Sequence, residues 1–305
     1  MLSTTANKMF AFAKKGVGIF LFIICSVAIY KEVGTNQNIV QYGTEMSIQF
    51  QKIVFHQWFI LFLLMLLNFL IESYKWKIVL KSDMKINMLT SLKSVFVGQA
   101  FAFYTPNRIG EYVGRTMMLD TENKIIAVGR MAWASYAQMI VTIIMGAIAI
   151  YINPPFLSWL RWATPLLLIF ALIVYFHKVT FSGILKSFNF LQIEMQVKKK
   201  LLALSFLRYS VYLMQYTWAA HILNIPIPYI ALWVGLAVMF LSLSIVPTIS
   251  ITELVIRGQL ILLLLSPWYQ NSLMLISLST IIWAVNFLLP AIIGAFLLLG
   301  FRLKQ

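Results

Sequence analysis

Apolar runs of near-bilayer length alternate with short polar stretches along almost the whole chain. A helix needs about 17–25 apolar residues to cross a hydrocarbon core, and the runs at 54–72, 131–152, 163–177, 201–222, 229–246 and 272–299 reach or approach that length. Val17–Tyr30 is shorter and spans only if Phe10–Ala13 join it and Lys14 and Lys15 snorkel. A cleaved signal peptide competes there, since Lys14-Lys15 precede the apolar core and Ser26-Val27-Ala28 has a cleavage-like spacing of small residues. Cys25 does not fit a lipoprotein site, because bulky Ile24 precedes it. Ile249–Leu265 is apolar but carries Glu253 and Arg257, and it is marginal for a full crossing. Counted as one, it brings the total to about eight spans. The expectation is an all-α polytopic integral membrane protein forming one membrane domain over 1–305, with a first span and external loop in 1–52 and the core in 53–305.

Two amphipathic stretches break this rhythm. Within Thr90–Phe103 and its flank, Leu89, Leu92, Val95 and Phe96 fall at helical spacing, interrupted by Lys93 and Gln99. After the 163–177 run, Phe181, Ile184, Leu185, Phe188 and Leu191 share one helical face, as in a helix lying on the membrane surface or packed on its own protein.

The chemistry sits in two motifs. Tyr104-Thr105-Pro106-Asn107-Arg108-Ile109-Gly110-Glu111-Tyr112-Val113-Gly114-Arg115 lies between segments too short to span, so the simplest geometry is a re-entrant hairpin from the cytoplasmic side. Irregular backbone at that depth is tolerated where it is buried in protein or lines a wet cavity. Pro106 blocks a helix upstream and can begin a new one. Glu111 and Arg115 are then four apart in the favoured order for an ion pair, and Gly110 and Gly114 form a small-xxx-small face for close helix approach. In the second motif, Val246-Pro247-Thr248-Ile249-Ser250-Ile251-Thr252-Glu253 leads to Arg257, again a Pro, a polar break, and Glu and Arg four apart. Broken segments in corresponding halves point to a central transport site. If each pair only staples its own hairpin, the charges are costly struts, since a charge at mid-bilayer costs at least ~2.5–3.5 kcal/mol.

Composition agrees with a membrane protein. The chain is 61% apolar or aromatic and 11% charged, which excludes an ordinary soluble enzyme. Its 24 Lys and Arg against nine Asp and Glu resemble a nucleic-acid binder, but their positions argue for topology. Lys8, Lys14, Lys15, then Lys75, Lys77, Lys81, Lys85 and Lys93, then Lys178, Lys186 and Lys198–Lys200, then Arg302 and Lys304 mark one side, while Lys31, Lys52 and Arg161 mark the other. By the positive-inside rule the first side is cytoplasmic, and both termini with it. One Cys and three scattered His leave no metal site, no GxxxxGK[ST] motif is present, and no cofactor is expected.

Polar residues inside the runs are weaker signals. Ser135, Tyr136, Gln138 and Thr142 lie in one span, and Arg208, Tyr209, Tyr212, Gln215 and Tyr216 form a stripe in another. Asn68 and Glu72 sit near the end of the 54–72 run, and Asn286 lies in the last. Such groups usually join helices, but Arg208 carries a charge that needs an anion or water.

At TPNRIGEYVGR, at PTISITELVIRG and at Glu72-Ser73-Tyr74-Lys75-Trp76-Lys77, the chain resembles the membrane, flippase-like region of the lysylphosphatidylglycerol synthase family, in the stand-alone form without the soluble aminoacyl transferase domain. Relatives often have a glycine-rich run before the second Glu, where this chain has Thr248–Thr252. The resemblance covers residues from about 50 to 300 and implies a lipid flippase of a bacterial inner (cytoplasmic) membrane, without aminoacyl transfer. The expected substrate is an anionic phospholipid or lipid-linked intermediate, with membrane lipids as partners and no nucleic acid. Its headgroup would meet Arg108, Arg115, Arg208 and Arg257, with Glu111 and Glu253 holding the guanidinium groups and Asn107, Gln138 and Tyr212 contributing polar contacts. An embedded lipid-headgroup transferase and a non-transporting partner of a lipid-modifying enzyme are the alternatives, and no catalytic residue is assigned.

Overall fold

The computed structural model describes residues 23–31, 34, 38–81, 84–119, 124–152, 160–177 and 193–302, and no strand occurs among them. The amphipathic stretch at 181–191 and the basic residues Lys8, Lys14, Lys15, Lys178, Lys186 and Lys304 lie outside the described residues.

The helices follow the apolar runs, with one addition. α1 (Ile39–Lys52) occupies the segment expected to be an external loop. The correction has a visible cause: Tyr42, Met46 and Phe50 recur at helical spacing, and Met46 and Phe50 pack on the apolar cluster behind them. Polar contacts fix the rest, with Gln49 donating to the Ile222 carbonyl at 2.8 Å and Asn271 donating to Glu45 at 2.9 Å. α2 (Phe55–Leu80) has 26 residues, about 39 Å at 1.5 Å per residue. α3 (Met88–Tyr104) opens on Asn87, whose side chain accepts the Thr90 N–H at 2.7 Å as an N-cap. A single 3₁₀ turn, Pro106–Arg108, separates α3 from the short α4 (Gly110–Met117).

Then follow α5 (Lys124–Ile152), α6 (Leu160–Phe176), α7 (Met195–Ile222), α8 (Tyr229–Ile245), α9 (Ser250–Leu265) and α10 (Ser272–Trp283), with a π-helical turn at Ala284–Leu288 joining α10 to α11 (Leu289–Arg302). Among the described residues, three stretches are long and apolar enough to cross a membrane: Phe55–Leu80, Lys124–Ile152 and Ser272–Gly300. Arg161–Phe176 and Tyr229–Ile245 are apolar but shorter. α7 has 28 residues, and its polar stripe rather than its length keeps it out of that set. α9 has 16 residues. The architecture is therefore that of a multi-pass, all-helical membrane protein, with fewer unambiguous spans than the eight expected.

Leu166, Ile169, Phe170 and Ile173 on α6 and Phe296 and Leu299 on α11 are exposed, as a lipid-facing surface requires. Inside, one apolar cluster joins α2, α3, α5 and α6, with Phe69 and Phe96 stacked at a centroid distance of 4.7 Å. A second joins the C-terminal part of α7 with α8, α9 and α10.

Candidate functional site

The two Pro-containing breaks meet. In the first, Thr105 caps the turn with its hydroxyl, which donates to the Phe101 carbonyl at 3.1 Å and accepts the Gly110 N–H at 2.8 Å. Asn107 and Arg108 both adopt left-handed backbone, at φ 51° and 58°. Asn tolerates this region, while an Arg there costs about 1–2 kcal/mol. The second break, Val246–Ile249, runs between α8 and α9, and the Thr252 hydroxyl accepts the Ile249 N–H at 3.0 Å to begin α9. The Asn107 N–H donates to the Thr248 carbonyl at 2.8 Å. Residues 141 apart in sequence thus satisfy each other's backbone where neither can use a helix partner.

Small residues allow the first hairpin to close. A Cβ at Gly114 would lie 2.7 Å from Gly98 Cα, and one at Gly98 would lie 2.7 Å from Arg115 Cγ. One at Gly110 would collide with the Phe101 carbonyl. The Gly110–Gly114 face is therefore the surface on which α4 folds back against α3.

Both Glu-x3-Arg pairs form, in different settings. Arg257 on α9 donates to Glu253 Oε1 through Nε at 3.0 Å and Nη2 at 2.5 Å, and to the Tyr216 hydroxyl at 3.2 Å. Arg115 on α4 donates through Nη2 to both Glu111 and Glu72, the latter at 2.8 Å. Glu72 on α2 is the hub: its other oxygen accepts from Arg208 Nη1 at 2.8 Å and pairs with Lys75 at 3.3 Å. Arg208 also donates through Nε to Asn68 at 2.8 Å. Arg108, which has no obvious partner in the sequence, pairs with Glu111 at 3.4 Å and donates to Gln99. A ladder of alternating charge therefore runs Arg108, Glu111, Arg115, Glu72, Arg208.

A cavity of about 620 Å³ opens over this ladder. The residues expected to contact substrate divide: Asn107, Arg108, Glu111, Gln138, Arg208, Tyr212, Glu253 and Arg257 line it, whereas Arg115 does not and is 1% exposed beneath. Glu72, Lys75, Tyr209 and Phe287 line it without having been singled out as site residues. Lys75 belongs in sequence to the basic cluster expected on the cytoplasmic side, yet its side chain is buried against Glu72. The available signal was its three-residue spacing from an acid at the end of an apolar run. Phe287 is presented by the π turn, and the guanidinium carbons of Arg108 and Arg257 each stand 4.9 Å from its ring centroid. π turns inside α-helices often mark functional positions. Met139, Phe240, Leu243 and Val246 add an apolar wall.

The arrangement can hold an anion beside an apolar surface. Among the described residues no group of three His, Cys, Asp or Glu is placed to hold a metal ion. Comparison of the chain with protein-family models, with curated proteins and with solved structures gives no match.

Proposed function

We propose that the protein is a lipid carrier that takes the anionic headgroup of a phospholipid or lipid-linked intermediate into this cavity and passes it between leaflets. The observation that carries the reading is the meeting of the two breaks at Asn107 and Thr248 over a charge-lined cavity with an apolar wall. Broken segments from two parts of a membrane protein, meeting at a polar cavity, are the usual construction of a transport site. The wall of Met139, Phe240, Leu243 and Val246 suits the first carbons of acyl chains whose remainder stays in lipid. The sequence resemblance to the flippase-like region of lysylphosphatidylglycerol synthases points the same way. In this reading the chain crosses the cytoplasmic membrane about eight times, both termini face the cytoplasm, and the first hairpin enters from that side.

The test is a pair of reconstituted vesicles, one carrying labelled phosphatidylglycerol and one carrying labelled phosphatidic acid. Movement of unaltered lipid to the other leaflet supports the carrier. Chemical change of the headgroup would instead indicate an embedded transferase, and the absence of both movement and chemical change would count against the carrier reading. Arg108→Gln should slow movement by about ten- to a hundredfold, the equivalent of one charge-assisted hydrogen bond of about 1.5–3 kcal/mol.

A further inference from the structure

The charges around the cavity do not balance, and the imbalance narrows the ligand. Among the described residues, Lys75, Arg108, Arg208 and Arg257 line it together with Glu72, Glu111 and Glu253, and Arg115 lies directly beneath. Five cations face three carboxylates, an excess of two positive charges. The carboxylates of the ladder are already engaged: Glu72 holds Arg115 on one oxygen and Arg208 with Lys75 on the other, and Glu111 holds Arg115 and Arg108.

The cations fall into two kinds. Arg115 is sealed off, and Arg257 spends its donors on Glu253 and Tyr216. Arg108 and Arg208 have side chains 32% and 17% exposed to the cavity side. Among the described residues, neither Arg108 Nη1 nor Arg208 Nη2 makes a hydrogen bond. Two guanidinium groups with free donors, at the two ends of one ladder, match an acceptor with several oxygens and more than one charge.

Resting on the carrier reading above, we infer that the headgroup is a terminal phosphomonoester rather than a phosphodiester. A phosphomonoester carries about −1.5 to −2 charges at pH 7, with a second pKa near 6, and so neutralises the excess. A phosphodiester carries one negative charge and leaves one cation uncompensated in a site of low dielectric. A headgroup with an added amine would worsen the mismatch.

The experiment compares binding of three probes to the purified full chain in neutral detergent: dodecyl phosphate, dodecyl methyl phosphate and inorganic phosphate. At pH 8, dodecyl phosphate should bind at least about tenfold more tightly than its methyl diester, as expected for one more charge near two guanidinium groups. At pH 5, where the monoester is largely a monoanion, the preference should shrink to about twofold or less. Glu72, Lys75, Glu111, Arg115, Arg208, Glu253, Arg257, Tyr209, Tyr212 and Tyr216 face or adjoin the cavity in both complexes, and the diester, whose own charge is the same at both pH values, is the control for changes in the protein. Arg108→Gln should cut the pH 8 preference several-fold and Arg108→Lys should retain most of it. The wild-type pH comparison stands if either variant fails to fold.

Equal binding of monoester and diester overturns the inference and leaves the carrier reading intact. Binding of inorganic phosphate as tight as dodecyl phosphate supports the dianion but overturns a lipid as its source. Binding of none of the three overturns the inference and the carrier reading together.

Discussion

Arg115→Met separates the strut from the ligand groups. Methionine has the helix propensity of arginine and an unbranched side chain of similar reach, so α4 itself should survive the change. What it removes is the one cation shared by Glu111 and Glu72, two carboxylates from different helices that meet beneath the cavity. Because Arg115 is 1% exposed, water cannot replace it. Breaking a buried pair costs about 3–5 kcal/mol, and here the two acids are also left facing each other. For a chain of this size that corresponds to a fall in the unfolding midpoint of roughly 5–10 °C. Arg108→Met is the comparison: its pair with Glu111 is 3.4 Å long and its side chain 32% exposed, which is worth about 0–1 kcal/mol. Its midpoint should move by no more than about 2 °C. Thermal unfolding of the purified proteins in detergent gives both numbers. Adding Glu111→Gln to Arg115→Met should recover part of the loss, since the repulsion between the two acids is then gone while Glu72 keeps Arg208 and Lys75. If Arg115→Met unfolds within 2 °C of wild type, the ladder is not what joins α2 to the hairpin and the division of cations fails.

Gly114→Ala should destabilise by about 1–3 kcal/mol, because the new Cβ meets Gly98 at 2.7 Å. Gly300→Ala, with nothing within 4 Å of the added atom, should instead be neutral or stabilising by up to about 1 kcal/mol in the same melts. Asn107→Gly should be tolerated while Asn107→Val loses about 1–3 kcal/mol, since a β-branched residue resists φ 51°; equal melting of the two would contradict the left-handed turn. Tyr216→Phe should cost about 1 kcal/mol by removing the acceptor at 3.2 Å from Arg257. In a Cys25→Ser background, Asn107→Cys with Thr248→Cys should cross-link under mild oxidation. A backbone hydrogen bond of 2.8 Å puts the two Cα atoms within disulfide range, and absence of the cross-link in folded protein would count against the meeting of the breaks.

The helices could be read wherever one segment settles the matter alone. Lengths of apolar run gave α2, α5 and the α10–α11 stretch, and the four-residue spacing of Glu111 with Arg115 and of Glu253 with Arg257 put each pair on one helical face. α1 was missed although its signal was present. Tyr42, Met46 and Phe50 repeat every four residues, but the polar content of 31–52 outweighs them in a hydropathy reading. Its helicity depends on packing against residues near 271–277, which no local pattern announces.

The site was legible in its parts and hidden in its centre. Glu72 reaches Arg115 across 43 residues and Arg208 across 136. A lone acid at the end of an apolar run reads as helix glue, because its partners have no fixed spacing from it. The same fact decided the roles of the arginines. By type alone Arg108, Arg115, Arg208 and Arg257 are interchangeable phosphate ligands. Only the three-dimensional arrangement shows that Arg115 is sealed beneath the cavity and that Arg257 spends its donors on Glu253 and Tyr216, while Arg108 and Arg208 keep donors free on the cavity side. The left-handed turn at Asn107 and Arg108 belongs to this argument. From this turn Arg108 reaches Glu111 through Nε at 3.4 Å. Turned by about 1–2 kcal/mol of backbone strain, it lies beside the Phe287 ring with part of its guanidinium unspent. Strain of that kind persists where surrounding contacts over-determine it, and here the Thr248 carbonyl supplies such a contact. The junction of the two breaks therefore both closes the backbone and keeps one cation available for a ligand.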